Sequence, residues 1–268
     1  MAASILYGVL VVGGVCLAAV GGLALVQFLV PTATRERHND VAGFIYAVLG
    51  VIYAVLLALV VIAVWEDFGR ARETVESEAN ATAEIFWLAH RLPEPERVRV
   101  QELSRSYAEE VVEREWPLMR EGQAPLMERG QATPNGWVLV DDIRASLQGF
   151  EPETPAEEAL YAEGLDQVEE LASARRMRLV EAEEGLPAVL WVVLVFAGVA
   201  AVGFTYLFGL ESTWAHRLMG AALAAVIGLV LYTIGAMEHP FSGGASIGTE
   251  AFELILERFE TSRLSDLR

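Results

Sequence analysis

From residue 39 to residue 72 the chain reads NDVAGFIYAVLGVIYAVLLALVVIAVWEDFGRAR, and the reading of this stretch decides the fold. The apolar run from Val41 to Val64 holds 24 residues. A helix needs about 20 to cross a hydrocarbon core about 30 Å thick. No proline and no glycine pair separates the run from Trp65-Glu66-Asp67, so one helix is predicted to leave the membrane and continue into water. Inside it Gly43, Gly50 and Leu57 recur every seven residues, Ala47 and Ala54 fall on the same side, and Tyr46 and Tyr53 repeat in step. Small residues let helices approach closely, and tyrosines require a wet or hydrogen-bonding neighbour. This helix is therefore expected to pack on its neighbours or to line a central path.

Three further runs, Ile5–Val30, Ala188–Phe208 and Leu218–Ala236, are also long and apolar enough to span. The expected fold class is an all-α membrane protein with four transmembrane helices and a helical cytoplasmic insert between the second and third. Its expected divisions are a hairpin over 1–65 (spans about 5–30 and 41–64), an acidic helical domain over 66–186, a second hairpin over 187–237 (spans about 188–208 and 218–236), and a turn with an amphipathic helix over 238–268. The first run does not read as a cleavable signal, since Met1-Ala2-Ala3-Ser4 has no positive charge ahead of it. Cys16 is the one cysteine, which excludes a disulfide framework and a thiolate metal site.

The formal net charge is −18, and residues 66–186 carry 28 acidic and 13 basic side chains, a balance of −15. An acidic polar domain argues against nucleic-acid partners and favours solubility or attraction of cations. Four spans put both termini and the insert on one side. Arg70, Arg72, Arg175, Arg176 and Arg178 lie near the span ends there, against Arg35, Arg37 and Arg217 on the other. The excess favours a cytoplasmic insert and cytoplasmic termini.

Pro31 ends the first span, and Asn39 or Asp40 can cap the second. Past Trp65 the positions Val75, Ala79, Thr82, Phe86 and Ala89 form a seam of coiled-coil spacing that carries the helix to about Arg91. Beyond Leu92-Pro93-Glu94-Pro95 a second helix carries Leu103, Tyr107 and Val111 and ends near Trp116-Pro117. A Gly/Pro-rich loop at 121–136 follows, then a short helix or a strand beginning at Trp137. Thr154-Pro155-Ala156-Glu157 combines an N-cap, a first-turn proline and a capping-box glutamate, and opens a long helix with the stripe Tyr161, Leu165, Val168, Ala172, Leu179. Thr249 can cap a last helix whose Phe252, Ile255, Leu256 and Phe259 share one face, suited to docking on the bundle or the membrane surface.

The chain has no G-x-S-x-G, H-E-x-x-H, P-loop or dinucleotide fingerprint, and an enzyme is not expected. Two charged constellations remain. His38 and His216, with Arg35, Arg37 and Arg217, fall in the two short turns of one face; they make either a basic pore mouth or ordinary interfacial charges. Glu76, Glu78, Glu238 and Glu250 fall near the other face; they offer hard oxygen ligands for a divalent cation such as Ca2+, or a solvated helix face. No span carries an interior charge, which disfavours an ion-coupled carrier and leaves a channel or a non-conducting scaffold. On span two, Gly43, Tyr46, Gly50, Tyr53 and Leu57 occupy one narrow stripe with Glu66 at its end. That stripe is either pore-lining or a buried seam whose tyrosines bond backbone carbonyls.

The runs Asn39 to Gly43, Ala47 to Ala54 and Val64-Trp65-Glu66, with Arg175-Arg176, Gly203-Phe204-Thr205-Tyr206-Leu207-Phe208-Gly209 and Pro240-Phe241-Ser242-Gly243, resemble the bacterial bestrophin-like domain family. That family is a membrane domain of unknown function, remotely similar to the bestrophins, which are pentameric, calcium-gated chloride channels. The resemblance implies a homo-oligomer in the bacterial inner membrane, five subunits around a pore lined by the second span, inorganic ions as its cargo, and gating by a ligand or divalent cation on the cytoplasmic side. The paired phenylalanines of the bestrophin neck are absent from span two, where Tyr46 and Tyr53 stand, so the resemblance does not carry over an ion selectivity. The alternatives are a membrane scaffold or interaction protein and, with less in its favour, a small-solute transporter.

Overall fold

The computed structural model describes residues 2–123 and 135–266. Among them there is helix and no strand. Ten α-helices follow in order: α1 Ala2–Leu29, α2 Thr32–Glu36, α3 Asn39–Leu88, α4 Glu96–Glu110, α5 Trp116–Arg120, α6 Gly136–Gln148, α7 Pro155–Glu183, α8 Ala188–Thr205, α9 Thr213–Met237 and α10 Glu250–Asp266. A 3₁₀ turn, Ala89–Arg91, closes α3, and a π turn, Val111–Glu115, joins α4 to α5. The chain divides into two compact units, a membrane unit (Met1–Glu66 and Gly185–Glu238) and a helical unit (Asp67–Glu184 and His239–Arg268).

In the membrane unit, α1, the first part of α3, α8 and α9 are long and apolar enough to span. With no hydrophobic drive between helices in lipid, close packing and hydrogen bonds must hold them. Glycine notches supply both. The Tyr53 ring of α3 lies over Gly198 of α8, where an added Cβ would come within 2.8 Å of the hydroxyl. That hydroxyl donates to the Leu194 carbonyl at 3.2 Å. Tyr206 repeats the device over Gly22 of α1, donating to the Ala19 carbonyl at 2.8 Å. The small stripe of α9 packs on α1, with Gly220 against Leu23 and Gly228 against Val15.

The turns differ from the expected caps. Helix α8 stops at Thr205, short of the predicted 208, and the carbonyls at and just past its end accept from polar residues of both turns. His216 Nε2 donates to the Thr205 carbonyl at 2.8 Å, and Arg35 donates to those of Phe208 at 3.0 Å and Tyr206 at 3.5 Å. Asn39 does not cap α3 through its side chain: its amide bridges Gly209, donating to the carbonyl at 2.8 Å and accepting from the N–H at 3.0 Å.

In the helical unit the predicted seam of α3 is buried at all five positions, Val75, Ala79, Thr82, Phe86 and Ala89. Trp137 begins a helix: Val140, Ile143 and Leu147 are buried at i, i+3 and i+7, a period no strand gives. Of the loop read over 121–136, residues 124–134 lie outside the described residues. The capping box at Thr154 and Glu157 is formed as predicted. Thr249 instead donates to the Glu253 carboxylate. Helix α10 docks in this unit, with Phe259 stacked on Phe86 at 3.9 Å and Phe252 against Trp116 at 6.2 Å.

The centre of this bundle is charged. Arg178 of α7 forks onto Glu78 of α3 (2.6 and 2.9 Å) and reaches Glu115 of the π turn (2.7 Å). Arg175 holds Glu115 bidentately (2.8 and 2.7 Å). The Tyr107 hydroxyl donates to Glu78. All four charges are at most 1% exposed, and two cations balance two carboxylates. Burial would raise the Glu115 carboxyl, but Arg178 and Arg175 outweigh it and hold it below the usual carboxylate range. Aromatic faces close the site: Arg175 lies 5.0 Å from the Trp137 ring and Arg178 5.7 Å from the Trp116 ring.

Gly136 completes this arrangement, because a Cβ there would overlap Glu115 Oε1 and an Arg175 Nη. Gly136→Ala is therefore expected to destabilise the protein by about 2–4 kcal/mol, between the cost of overpacking and that of a broken buried pair. Denaturant unfolding of the full chain in detergent checks it; a variant as stable as the parent overturns this role.

Candidate functional site

The membrane part of α3 carries two unlike faces. Ala42, Tyr53, Val60 and Val64 are buried, and Leu49, Leu56 and Leu57 pack beside them against α8 and α9. On the other side Val41, Ile45, Val48, Ile52, Val55, Leu59 and Ile62 are exposed at spacings alternating four and three, and the next step is the exposed Glu66. Phe44, Val51 and Trp65 flank this stripe and are 64–75% exposed. The chain by itself therefore leaves an aliphatic face bare along the whole span.

Spacing alone had marked a different stripe. Tyr53 is 5% exposed and bonded to α8. Tyr46 lies between the rings of Phe204 (5.9 Å) and Phe208 (5.7 Å). Gly43 and Gly50 are half-buried, Gly43 near Phe208, and Leu57 lies in the seam. Of the six residues read as pore-lining, Glu66 alone lies on the bare stripe. Tyr53 and Leu57 lie in the buried seam that is the other reading of this stripe, and Tyr46 packs on Phe204 and Phe208, whereas an added Cβ at Gly50 would meet nothing within 4 Å. The bare aliphatic stripe lacked a distinguishing residue type, and its signal was β-branched residues at 41, 45, 48, 52, 55 and 62 in step with Glu66.

The basic turn residues separate too. Arg35 and His216 are buried caps of α8. Arg37, His38 and Arg217 are exposed, His38 donating from Nδ1 to the Thr34 carbonyl at 3.2 Å and Arg217 to Gln27 at 3.0 Å. Of the arginines counted for topology, Arg175 and Arg178 are neutralised in the bundle and Arg35 is buried, which leaves three exposed against two.

The four carboxylates read as divalent-cation ligands have separate engagements. Glu76 pairs with Arg72 at 3.2 Å, Glu78 is consumed by Arg178 and Tyr107, and Glu238 accepts from the Trp191 indole at 2.6 Å. Glu250 closes on Gly248, where a Cβ would overlap it. Among the described residues, no three His, Cys, Asp or Glu side chains come together to hold a metal. Glu76, Glu78 and Glu238 thus each accept from a different donor.

The fold and the bare face define an all-helical membrane protein whose second span continues into a bundle with a charged core. The chain belongs to the Bestrophin-like domain family, whose model matches residues 13–252. No curated protein matches it. Its fold is that of a bacterial bestrophin homolog from Klebsiella pneumoniae solved by zinc anomalous phasing, at TM-score 0.64 and 13% identity over 91% of this chain and 95% of that one. A bacterial bestrophin homolog from Klebsiella pneumoniae with a leucine-to-threonine mutation gives TM-score 0.67 at 11% identity over 92% and 97%. A structure described as a membrane protein gives 0.69 at 12% over 91% and 95%.

Proposed function

We propose that this protein is an oligomeric ion channel of bestrophin type, with its path lined by the bare face of α3, and with residues 67–184 on the cytoplasmic side of a bacterial inner membrane. The bare stripe carries this reading. Seven aliphatic side chains in line, ending on a glutamate, form a dry constriction with a charged exit once copies are arranged around an axis. A single subunit has no wet route, since its spans close on one another through the glycine notches, so the path requires further copies. The exposed Arg37, His38 and Arg217 furnish the opposite mouth. Gating by calcium through Glu76, Glu78, Glu238 and Glu250 is not part of this proposal.

The test is flux of potassium and of chloride, measured separately in liposomes under opposite gradients. Val55→Ser should wet the constriction and raise flux at least about threefold in a normally assembled protein. Val60→Ser, on the buried face one turn away, should lower stability with no gain in flux. Equal flux in parent and Val55→Ser removes the bare face from the path. No flux of either ion from a folded oligomer leaves a non-conducting scaffold.

A further inference from the structure

We propose that Glu181 is a proton-operated latch between α3 and α7: it tightens their contact when protonated and loosens it when charged. This inference concerns the helical unit and stands whether or not the protein conducts. Glu181 is in the last turn of α7 and is 7% exposed. One carboxylate oxygen accepts from the Thr74 hydroxyl of α3 at 3.2 Å. The other is buried without a hydrogen-bonding partner. A carboxylate so placed has given up water on one side for a single neutral donor, whereas the neutral acid gives up much less.

Among the described residues, no cation forms an ion pair with Glu181. Asp67, Arg70 and Thr74 face Glu181 from α3, and Glu184 from the residue after α7. Arg70 is already paired with Asp67 at 2.8 Å. Arg178, one turn back on α7, is spent on Glu78 and Glu115. His239 is turned to the Glu184 carbonyl at 3.3 Å. Glu181 therefore meets two carboxylates and one shared guanidinium. Burial, with repulsion from Glu184 and Asp67, raises its carboxyl above the usual range against the opposing pull of Thr74 and Arg70. Each proton released puts an uncompensated charge between α3 and α7, and each proton taken up removes it. The latch engages as pH falls through the raised value, opposite in sense to Glu115.

Comparing the full-length protein in detergent with Glu181→Gln tests this, because the difference between them cancels every other titration. At pH 8 the variant should melt several degrees above the parent, and the gap should narrow as pH falls through the raised value and close at the ordinary carboxylate range. Hydrogen exchange of 67–76 and 178–184, corrected for intrinsic rates, should be faster in the parent at pH 8, and the difference should vanish together with the melting gap. Two further variants move the closing point in opposite senses. Asp67→Asn removes a repelling carboxylate and frees Arg70, shifting it to lower pH; Thr74→Val removes the donor and shifts it to higher pH. No gap at pH 8, a gap that does not close, or shifts of the wrong sign each overturn the latch.

Discussion

Arg178→Ala is expected to cost about 3–5 kcal/mol, enough to unfold the helical unit of a protein whose total stability is of the order of 5–15 kcal/mol. Among the described residues the guanidinium is the sole cationic partner of Glu78 and one of two for Glu115, and all are dry. Its removal strands a buried carboxylate with one tyrosine hydroxyl. Arg178→Lys should fall between, because an ammonium keeps the charge but cannot fork onto two carboxylates. The pH dependence follows from Glu115. Its folded pKa lies below its unfolded one, so its contribution is complete above the ordinary carboxylate range and is lost as pH falls through the depressed folded value. Melting in detergent against pH should show no loss from this site near neutrality and a steep one in acid, weaker in Arg178→Ala, where Arg175 alone still holds Glu115. An Arg178→Ala protein as stable as the parent would refute the assignment.

Tyr53→Ala should likewise lower stability and assembly. The ring fills the notch over Gly198, and truncating a buried aromatic costs about 3–5 kcal/mol. Tyr53→Phe should cost about 0.6 kcal/mol, the average of a hydrogen bond between membrane helices. Gly198→Leu should reproduce the larger loss from the other side. Thermal melting and size-exclusion profiles report both. The competing result is a normally assembled Tyr53→Ala with raised ion flux, which would return the tyrosine to the path.

Periodicity made much of this legible. The four spans, the continuation of α3, the seam from Val75 to Ala89 and the capping box at Thr154 are all local patterns, complete within a few turns of one helix. The charged core was not, because its pairs join residues 60 to 100 positions apart. Glu78 read as a divalent-cation ligand or one more solvated acid, and Arg178 as a cation near a span end. A signal did exist: Arg175 and Arg178 fall within the apolar stripe of Val168, Leu171, Ala172 and Leu179, and Glu78 lies beside Ala79 in the seam. Charges inside an apolar stripe point to each other. The choice between the tyrosine stripe and the bare stripe was beyond spacing, since both repeat at seven and only contact with α8 separates them.

The π turn at Val111–Glu115 makes chain length itself a constraint. Such a turn holds one residue more than an α-helical turn, and that surplus lets two neighbours, Glu115 and Trp116, both face inward at 0% and 1% exposure. With a residue deleted, the helix would close to its ordinary repeat and everything beyond it would swing by about 100°. The indole would then take the carboxylate's bearing, opposite two arginines. Descent with substitution is open to this segment, while descent with a gap is closed. In an alignment of relatives, a one-residue indel at these five positions would mark the lineages in which the charged core was gained or given up.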